Sequence, residues 1–175
     1  MKPTDMDRRD IVKAIAVGSA TLVPLTAAAP DKPKFFSPGE LEQVATLAEL
    51  IIPQTDTPGA RAARVQELID RVLSEETPAI QKRFRKGLAL VDRRSRAAYS
   101  KKFLDLAAQQ QTAILTAMSE PANAGHEFFL EIRRRTVFAY YTSEIGLHQE
   151  LNYQGHQVFD RWPGCPHPDH HGDEA

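Results

Sequence analysis

The sequence predicts an all-α protein, a compact single-domain bundle of about five helices with an irregular C-terminal tail that wraps around it. Two observations favour this fold class. Apolar residues recur at spacings of three and four through several segments, which is the period of a helix with one buried face. The alternation typical of a half-buried strand persists nowhere beyond a few residues. We divide the chain into a leader (1–29), a tether (30–36), a helical domain (37–145) and a tail (146–175).

The first helix is marked at both ends. The sequence SPGE at residues 37–40 is a capping box with proline at the first helical position. The helix is predicted to run from Glu40 to Ile52, where Pro53 ends it. A loop rich in turn-forming residues follows at 54–60, and a second helix is predicted over about 62–75.

The third helix begins at Thr77-Pro78 by the same logic and has one apolar and one basic side. The basic side carries Lys82, Arg83, Arg85, Lys86, Arg93, Arg94 and Arg96. Such a face is usually solvated, and the alternative is a surface that docks onto an acidic partner. Two short helical pieces are predicted at 99–106 and 112–118, and the longest apolar helix at about 126–143.

The helical pattern dissolves from Glu144 onward. The tail is too polar and too interrupted by glycine and proline to form a core of its own, so we expect it to wrap around its own helices or a partner. Its aromatic residues are of the type that anchors interfaces, which makes Tyr153, Phe159 and Trp162 candidate interface residues.

The tail also holds the single cysteine, Cys165, in the sequence CPHPDHH at 165–171. A thiolate and imidazoles suit zinc or copper, but two prolines restrict how these ligands could converge. The alternatives are a polar tail without metal or a tail bound to a partner. We favour an intermolecular disulfide for Cys165 over a nucleophile, because no positioned base is evident.

The leader has the order of an export signal: a charged start, a short apolar run and a small-residue end. Arg8, Arg9 and Lys13 match the twin-arginine pattern [ST]-R-R-x-F-L-K. The apolar run 14–29 has 16 residues, fewer than the roughly 20 of a spanning helix. The leader therefore predicts export by the twin-arginine translocase to the periplasm.

The residues Ala27 to Ala29 predict where the signal is cut. Ala27 and Ala29 are the small residues of the cleavage site, and cleavage is predicted after Ala29. Two alternatives stay open: the segment is retained as an uncleaved anchor, or it is a cytosolic amphipathic helix with a chance arginine pair.

The composition indicates a single domain without a nucleic-acid partner. Cleavage after residue 29 leaves 146 residues with 18 basic and 20 acidic side chains. No motif of a nucleophilic elbow, dinucleotide fold, phosphate loop or zinc protease is present in the sequence. Glu49, Asp56 and Asp70 are interpreted as isolated carboxylates with surface or capping roles, so we expect no catalytic residue, no metal ligand and no cofactor in this chain.

Residues 47–60, LAELIIPQTDTPGA, resemble the hallmark segment of the gluconate 2-dehydrogenase subunit 3 family. The following VQELID at 65–70, the YYTSEIG at 140–146 and the YQG at 153–155 fit the same family. The resemblance covers roughly residues 37–165, and a twin-arginine leader is common among members.

The resemblance implies a non-catalytic small subunit of a membrane-associated periplasmic sugar or polyol dehydrogenase. The implied partner is a large flavoprotein of the glucose-methanol-choline oxidoreductase type, which holds FAD, and a multihaem cytochrome c is a further partner in many such complexes. The large subunit generally lacks a signal, so the small one would export the folded pair. The alternatives are a free-standing helical binding protein of the cell envelope and a small metal or thiol protein that uses Cys165 and the histidines.

Overall fold

The computed structural model describes residues 32–155 of the chain. Five α-helices occur in these residues: α1 (Pro38–Ile51), α2 (Val65–Glu75), α3 (Pro78–Tyr99), α4 (Ala108–Ser119) and α5 (His126–Tyr141). A 3₁₀ turn (Phe103–Asp105) precedes α4, and a π-helical segment (Ile145–Glu150) follows α5. No strand occurs between residues 32 and 155, which confirms the all-α prediction.

Local signals in the sequence explain how α1 begins but not how α2 begins. The capping box of α1 is formed as predicted, with Ser37 Oγ accepting from the Glu40 amide and the Glu40 carboxylate accepting from the Ser37 amide at 2.9 Å. Helix α2 begins three residues later than predicted, because Arg64 adopts a left-handed conformation with φ 54°. Residues 60–64 form a turn instead, in which the Val65 amide donates to the Ala60 carbonyl.

The predictions between α3 and α4 were wrong in detail. Helix α3 ends at Tyr99 with Ser100 in the left-handed region (φ 58°), so the predicted helical piece at 99–106 is reduced to the 3₁₀ turn. Helix α4 begins at Ala108 rather than 112. Its first turn is a run of three glutamines without an apolar residue to reveal its period, and Gln110 Oε1 accepts from the Ala107 amide to cap it.

Helix α5 is the centre of the bundle. It packs against α1, α2, α4 and the π-helical segment, and it buries Ile132, Thr136 and Tyr140. The other helices contribute the rest of a single core, whose fully buried side chains include Val44, Leu47, Val65, Leu73, Val91, Phe103 and Met118. No helix within residues 32–155 has both the length and the apolar character to span a bilayer.

The ring of Phe128 on α5 lies directly against Gly87 of α3. A Cβ atom on Gly87 would overlap the ring of Phe128, so only glycine allows this approach. The same Phe128 ring packs edge-on against Phe84 with centroids 5.3 Å apart.

The chain continues in ordered structure beyond α5. The sequence pattern predicts irregular chain from Gly146, whereas the structure has the π-helical segment to Glu150 with Gly146 buried against the Tyr140 carbonyl. The Tyr153 amide then donates to the Leu147 carbonyl at 2.8 Å.

The end of the tether is bound to the bundle by a buried carboxylate. Asp70, only 4% exposed, accepts hydrogen bonds from three successive backbone amides, those of Lys34 (2.6 Å), Phe35 (3.0 Å) and Phe36 (2.7 Å). Asp70 is thus a capping group, as the sequence allowed, but it does not lie on the surface.

Arg85 holds the same segment from outside. Its guanidinium donates to the Phe35 carbonyl at 2.6 Å, lies 4.1 Å from the centre of the Phe35 ring and pairs with Glu40 at 3.3 Å. Phe36 is buried beside Phe84, with ring centroids 5.7 Å apart. Residues 34–36 are therefore part of the folded domain rather than of a free tether.

We expect Asp70→Asn to loosen this attachment. Asparagine has no negative charge, and its NH₂ group cannot accept a hydrogen bond from the backbone amides. Because a hydrogen bond to a charged group contributes about 1.5–3 kcal/mol, we expect the free energy of unfolding to fall by about 3 kcal/mol. Urea unfolding of the full chain measures this loss, and trypsin cleavage after Lys34 should become faster. Asp105→Asn, at an exposed carboxylate, is the control. Equal urea midpoints and equal cleavage rates in the two variants would show that the hydrogen bonds of Asp70 contribute nothing to the stability of the domain.

Candidate functional site

The loop of residues 53–60 forms the end of the hallmark segment 47–60 and is named the motif loop. It is closed by one carboxylate. Glu49 near the end of α1 accepts from the Gln54 amide at 2.9 Å and from the Arg61 amide at 2.8 Å, so it clamps both ends of the loop. The Ala60 amide donates to the Ile52 carbonyl at 2.9 Å and completes the closure. Glu49 has a capping role, as predicted.

The loop is also fixed to the elements beneath it. The hydroxyl of the buried Tyr140 donates to the Pro58 carbonyl at 2.8 Å, and the Thr57 hydroxyl donates to Glu150 at 2.5 Å. Gly59 is buried at the point where the Glu49 carboxylate comes closest, and a Cβ atom there would overlap both carboxylate oxygens. The motif thus needs glycine for close approach.

Asp56 at the tip of the loop is fully exposed. The Thr55 hydroxyl, 2.9 Å away, and the backbone amides of Asp56 and Thr57 hold the pKa of its carboxyl below its usual value. Asp56 lies on the surface, one of the two roles that the sequence allowed it. The whole motif is built for a fixed conformation, and its carboxylates are engaged with backbone amides rather than with one another.

The basic side of α3 is exposed except at Arg94, which is half-buried. Arg85 pairs with Glu40, and Arg96 with Asp92 at 3.6 Å. Beside it lies an open cleft of about 440 Å³ between α3 and α5. Its walls are apolar, with Phe84 and Phe128, and its rim carries Arg83, Lys86 and Arg93 together with Glu127 and Glu131.

The solvent side of α5 is the other surface that stands out. Leu130, Val137 and Phe138 are 46%, 37% and 61% exposed. Next to Phe138 a small groove of about 180 Å³ runs between α5 and α2, with Leu68, Val72 and Ala139 among its lining residues.

A buried arginine forms the polar floor of this groove. Arg135, with 8% of its side chain exposed, donates to Glu131 at 2.6 Å and to Glu76 at 3.0 Å. Arg134 donates to the same Glu131 carboxylate at 3.0 Å. Burial raises the pKa of the Glu131 carboxyl, but the hydrogen bonds from the two arginines outweigh it and hold the pKa below the usual 4.5.

Of the site residues predicted from the sequence, the described region contains Tyr153. It is half-buried, and its carbonyl is bonded to Nδ1 of His148 at 3.0 Å. The others lie outside the described residues: Arg8, Arg9, Lys13, Ala27, Ala29, Phe159, Trp162, Cys165 and the histidine cluster. Among residues 32–155 no group of three or more His, Cys, Asp or Glu side chains could hold a metal ion.

Sequence reasoning missed the exposed apolar face of α5. The signal was present, because Leu130, Val137 and Phe138 are spaced by seven and eight residues and therefore lie on one side of a helix. It was hidden by the apolar residues on the opposite side, which gave the helix an apolar character all round.

Comparison with known proteins gives one match. The family model described as gluconate 2-dehydrogenase subunit 3 matches residues 38–158. No curated protein and no solved structure matches the chain.

We expect Gly59→Ala to disturb the motif loop. The added methyl group pushes the Glu49 carboxylate from the two amides it binds, and overpacking of this kind costs about 1–3 kcal/mol. Gly39→Ala is the matched control, since no atom lies within 4 Å of the added methyl group. Urea unfolding measures both, and the clamp is wrong as an explanation if Gly59→Ala is as stable as Gly39→Ala.

Because the pKa of Glu131 is lowered in the folded protein, we expect part of the free energy of unfolding to depend on pH. The contribution of Glu131 is complete above about pH 4.5 and is lost as the pH falls through the lower folded value. We expect Glu131→Gln to be less stable than wild type at pH 7 and the difference to shrink toward pH 3. Thermal unfolding at a series of pH values tests this, with Glu120→Gln as an exposed control. A difference that stays constant from pH 7 to pH 3 would contradict the prediction.

Proposed function

The chain belongs to the gluconate 2-dehydrogenase subunit 3 family, and from this membership we propose that it is a non-catalytic small subunit of a dehydrogenase complex. In this proposal it binds and stabilises a large flavoprotein of the glucose-methanol-choline oxidoreductase type and exports it to the periplasm. The large subunit holds FAD and oxidises a sugar or polyol. A multihaem cytochrome c is a further candidate member of the complex, which would associate with the inner membrane.

The extent of the family match supports this proposal most directly. The match begins at the first residue of α1 and continues past the π-helical segment, so it includes every helix of the bundle. The family is named for a subunit, and a subunit acts through the surface it presents to other chains.

The use of the carboxylates supports a non-catalytic role. Asp70 and Glu49 each accept two or more backbone amides, and Glu131 and Glu76 are paired with Arg135. A general acid or base must have its proton-transfer position free for a substrate. These carboxylates are committed to holding the fold.

The leader supports the export part of the proposal. Arg8, Arg9 and Lys13 match the pattern of a translocase that moves folded proteins, so a bound partner can cross with this chain. The chain enters the folded domain at residues 34–36, which Asp70 holds. A signal attached to a folded, partner-bound domain is what export of a preassembled pair requires.

Co-expression tests the proposal. The full chain and the flavoprotein subunit are expressed together, and dye-linked dehydrogenase activity is measured in periplasmic and cytoplasmic fractions. We expect periplasmic activity with the wild-type chain and its loss when Arg8 and Arg9 are both changed to Lys, with the activity kept in the cytoplasm. Arg93→Lys makes the same chemical change at an exposed position of α3 and should export normally.

The same experiment separates the outcomes. Periplasmic activity that persists without this chain would contradict the proposed export role.

Cys165 is tested by a second measurement. If it forms the intersubunit disulfide, non-reducing electrophoresis of the purified complex shows a covalent pair that Cys165→Ser abolishes. Migration as two free subunits would end the disulfide part of the proposal alone.

A further inference from the structure

We infer that the exposed face of α5, defined by Leu130, Arg134, Val137 and Phe138, together with the groove beside Phe138, is the surface that binds the flavoprotein subunit. The inference rests on the proposed function, because it takes from it the existence of that partner. It adds the location of the interface and the chemistry of what fits there: a projecting apolar side chain flanked by carboxylates.

The large apolar side chains that are exposed are concentrated on α5. Five large hydrophobic side chains are exposed between residues 32 and 155, and three of them are Leu130, Val137 and Phe138 on α5. Their spacing places them on one side of the helix. The opposite side of α5 buries Ile132 and Tyr140 in the core.

A helix that is apolar on both sides is normally covered on both sides. Within residues 32–155, α5 is covered on one side alone. Since Phe138 is 61% exposed, its ring gains most of the free energy of burial only when something beyond residues 32–155 covers it. The face is therefore suited to a permanent contact rather than to solvent.

The size of the groove decides what kind of occupant it takes. Pockets for cofactors and small ligands measure about 300–1,000 Å³, whereas this groove measures about 180 Å³. That volume suits one large side chain. Its apolar lining of Leu68, Val72 and Ala139 suits an aromatic or aliphatic one.

Charge defines the rim and the floor of the groove. Arg134, with 70% of its side chain exposed, and the buried Arg135, which Glu131 and Glu76 hold in place, both line the groove. Arg134 donates to Glu131 through Nη2 alone, so its Nη1 group can donate to an incoming carboxylate as well. The floor is rigid before binding, which lowers the entropic cost of association.

The test is a binding measurement with the purified flavoprotein subunit and the full chain. Phe138→Asp places a charge in the centre of the proposed interface, and we expect the Kd to rise about thirtyfold or more, as for a central anchor. Arg134→Glu should raise the Kd and also reduce its dependence on salt. Leu104→Asp is the matched control, an apolar side chain 37% exposed on the 3₁₀ turn, and should leave the Kd unchanged.

The outcomes distinguish this inference from the proposed function. If wild type does not bind the flavoprotein subunit, the proposed function fails. If wild type binds and Phe138→Asp binds with the same Kd while circular dichroism shows both folded, the location of the interface is wrong and the function stands.

Two other occupants of the face are tested by two further measurements. A dimer of the free chain in light scattering that Phe138→Asp dissociates would assign the face to a second copy and overturn the inference. For the chain's own C-terminal segment, Phe138→Cys is labelled by a thiol reagent in a Cys165→Ser background. We expect fast labelling in the free chain. Slow labelling that becomes fast when residues 156–175 are removed would assign the face to that segment and overturn the inference.

Discussion

The folded domain depends on carboxylates in its helices that bind backbone amides of the segments between helices. Asp70 of α2 binds those of residues 34–36, Glu49 of α1 binds both ends of the motif loop, and Asp92 of α3 binds the Phe103 amide at 3.1 Å. These segments have no partner strand or helix to satisfy their amides, and an unsatisfied buried amide costs about 1–3 kcal/mol. This requirement applies to the buried Phe36 and the partly buried Phe103 amides, whereas Glu49 binds two exposed amides and so fixes the conformation of the loop between them.

Much of the helical framework could be predicted from the sequence, because its signals are local. A serine–proline or threonine–proline start, a proline stop and an apolar period of three to four residues gave α1 to within two residues at its start and one at its end, and the beginnings of α3 and α5 correctly. Where the local signal was missing, the prediction failed: three glutamines hid the start of α4, and the left-handed Arg64 delayed α2. A left-handed arginine has no signature in a single sequence, since the conformation is imposed by the turn around it.

The candidate site was predictable only in part, because its contacts are distant along the chain. Asp70 lies 34 residues or more from the amides that it binds, and Tyr140 lies 82 residues from Pro58. No periodicity connects such positions. The motif loop could be recognised as a motif, but its clamp, its tyrosine support and the reason for its glycine required coordinates.

The position of the motif loop also separates what identifies the family from what a subunit does. The loop is held by Glu49, Tyr140 and Glu150, so its residues are determined by the fold. Partner recognition has different requirements, namely apolar side chains that the fold leaves uncovered and charges that orient the partner. Helix α5 meets both sets of requirements at once: its Tyr140 supports the loop from the core side, and two residues earlier Phe138 faces solvent. Because both side chains lie on one rigid helix, the loop and the core that fix α5 also fix the geometry of the surface proposed to bind the partner.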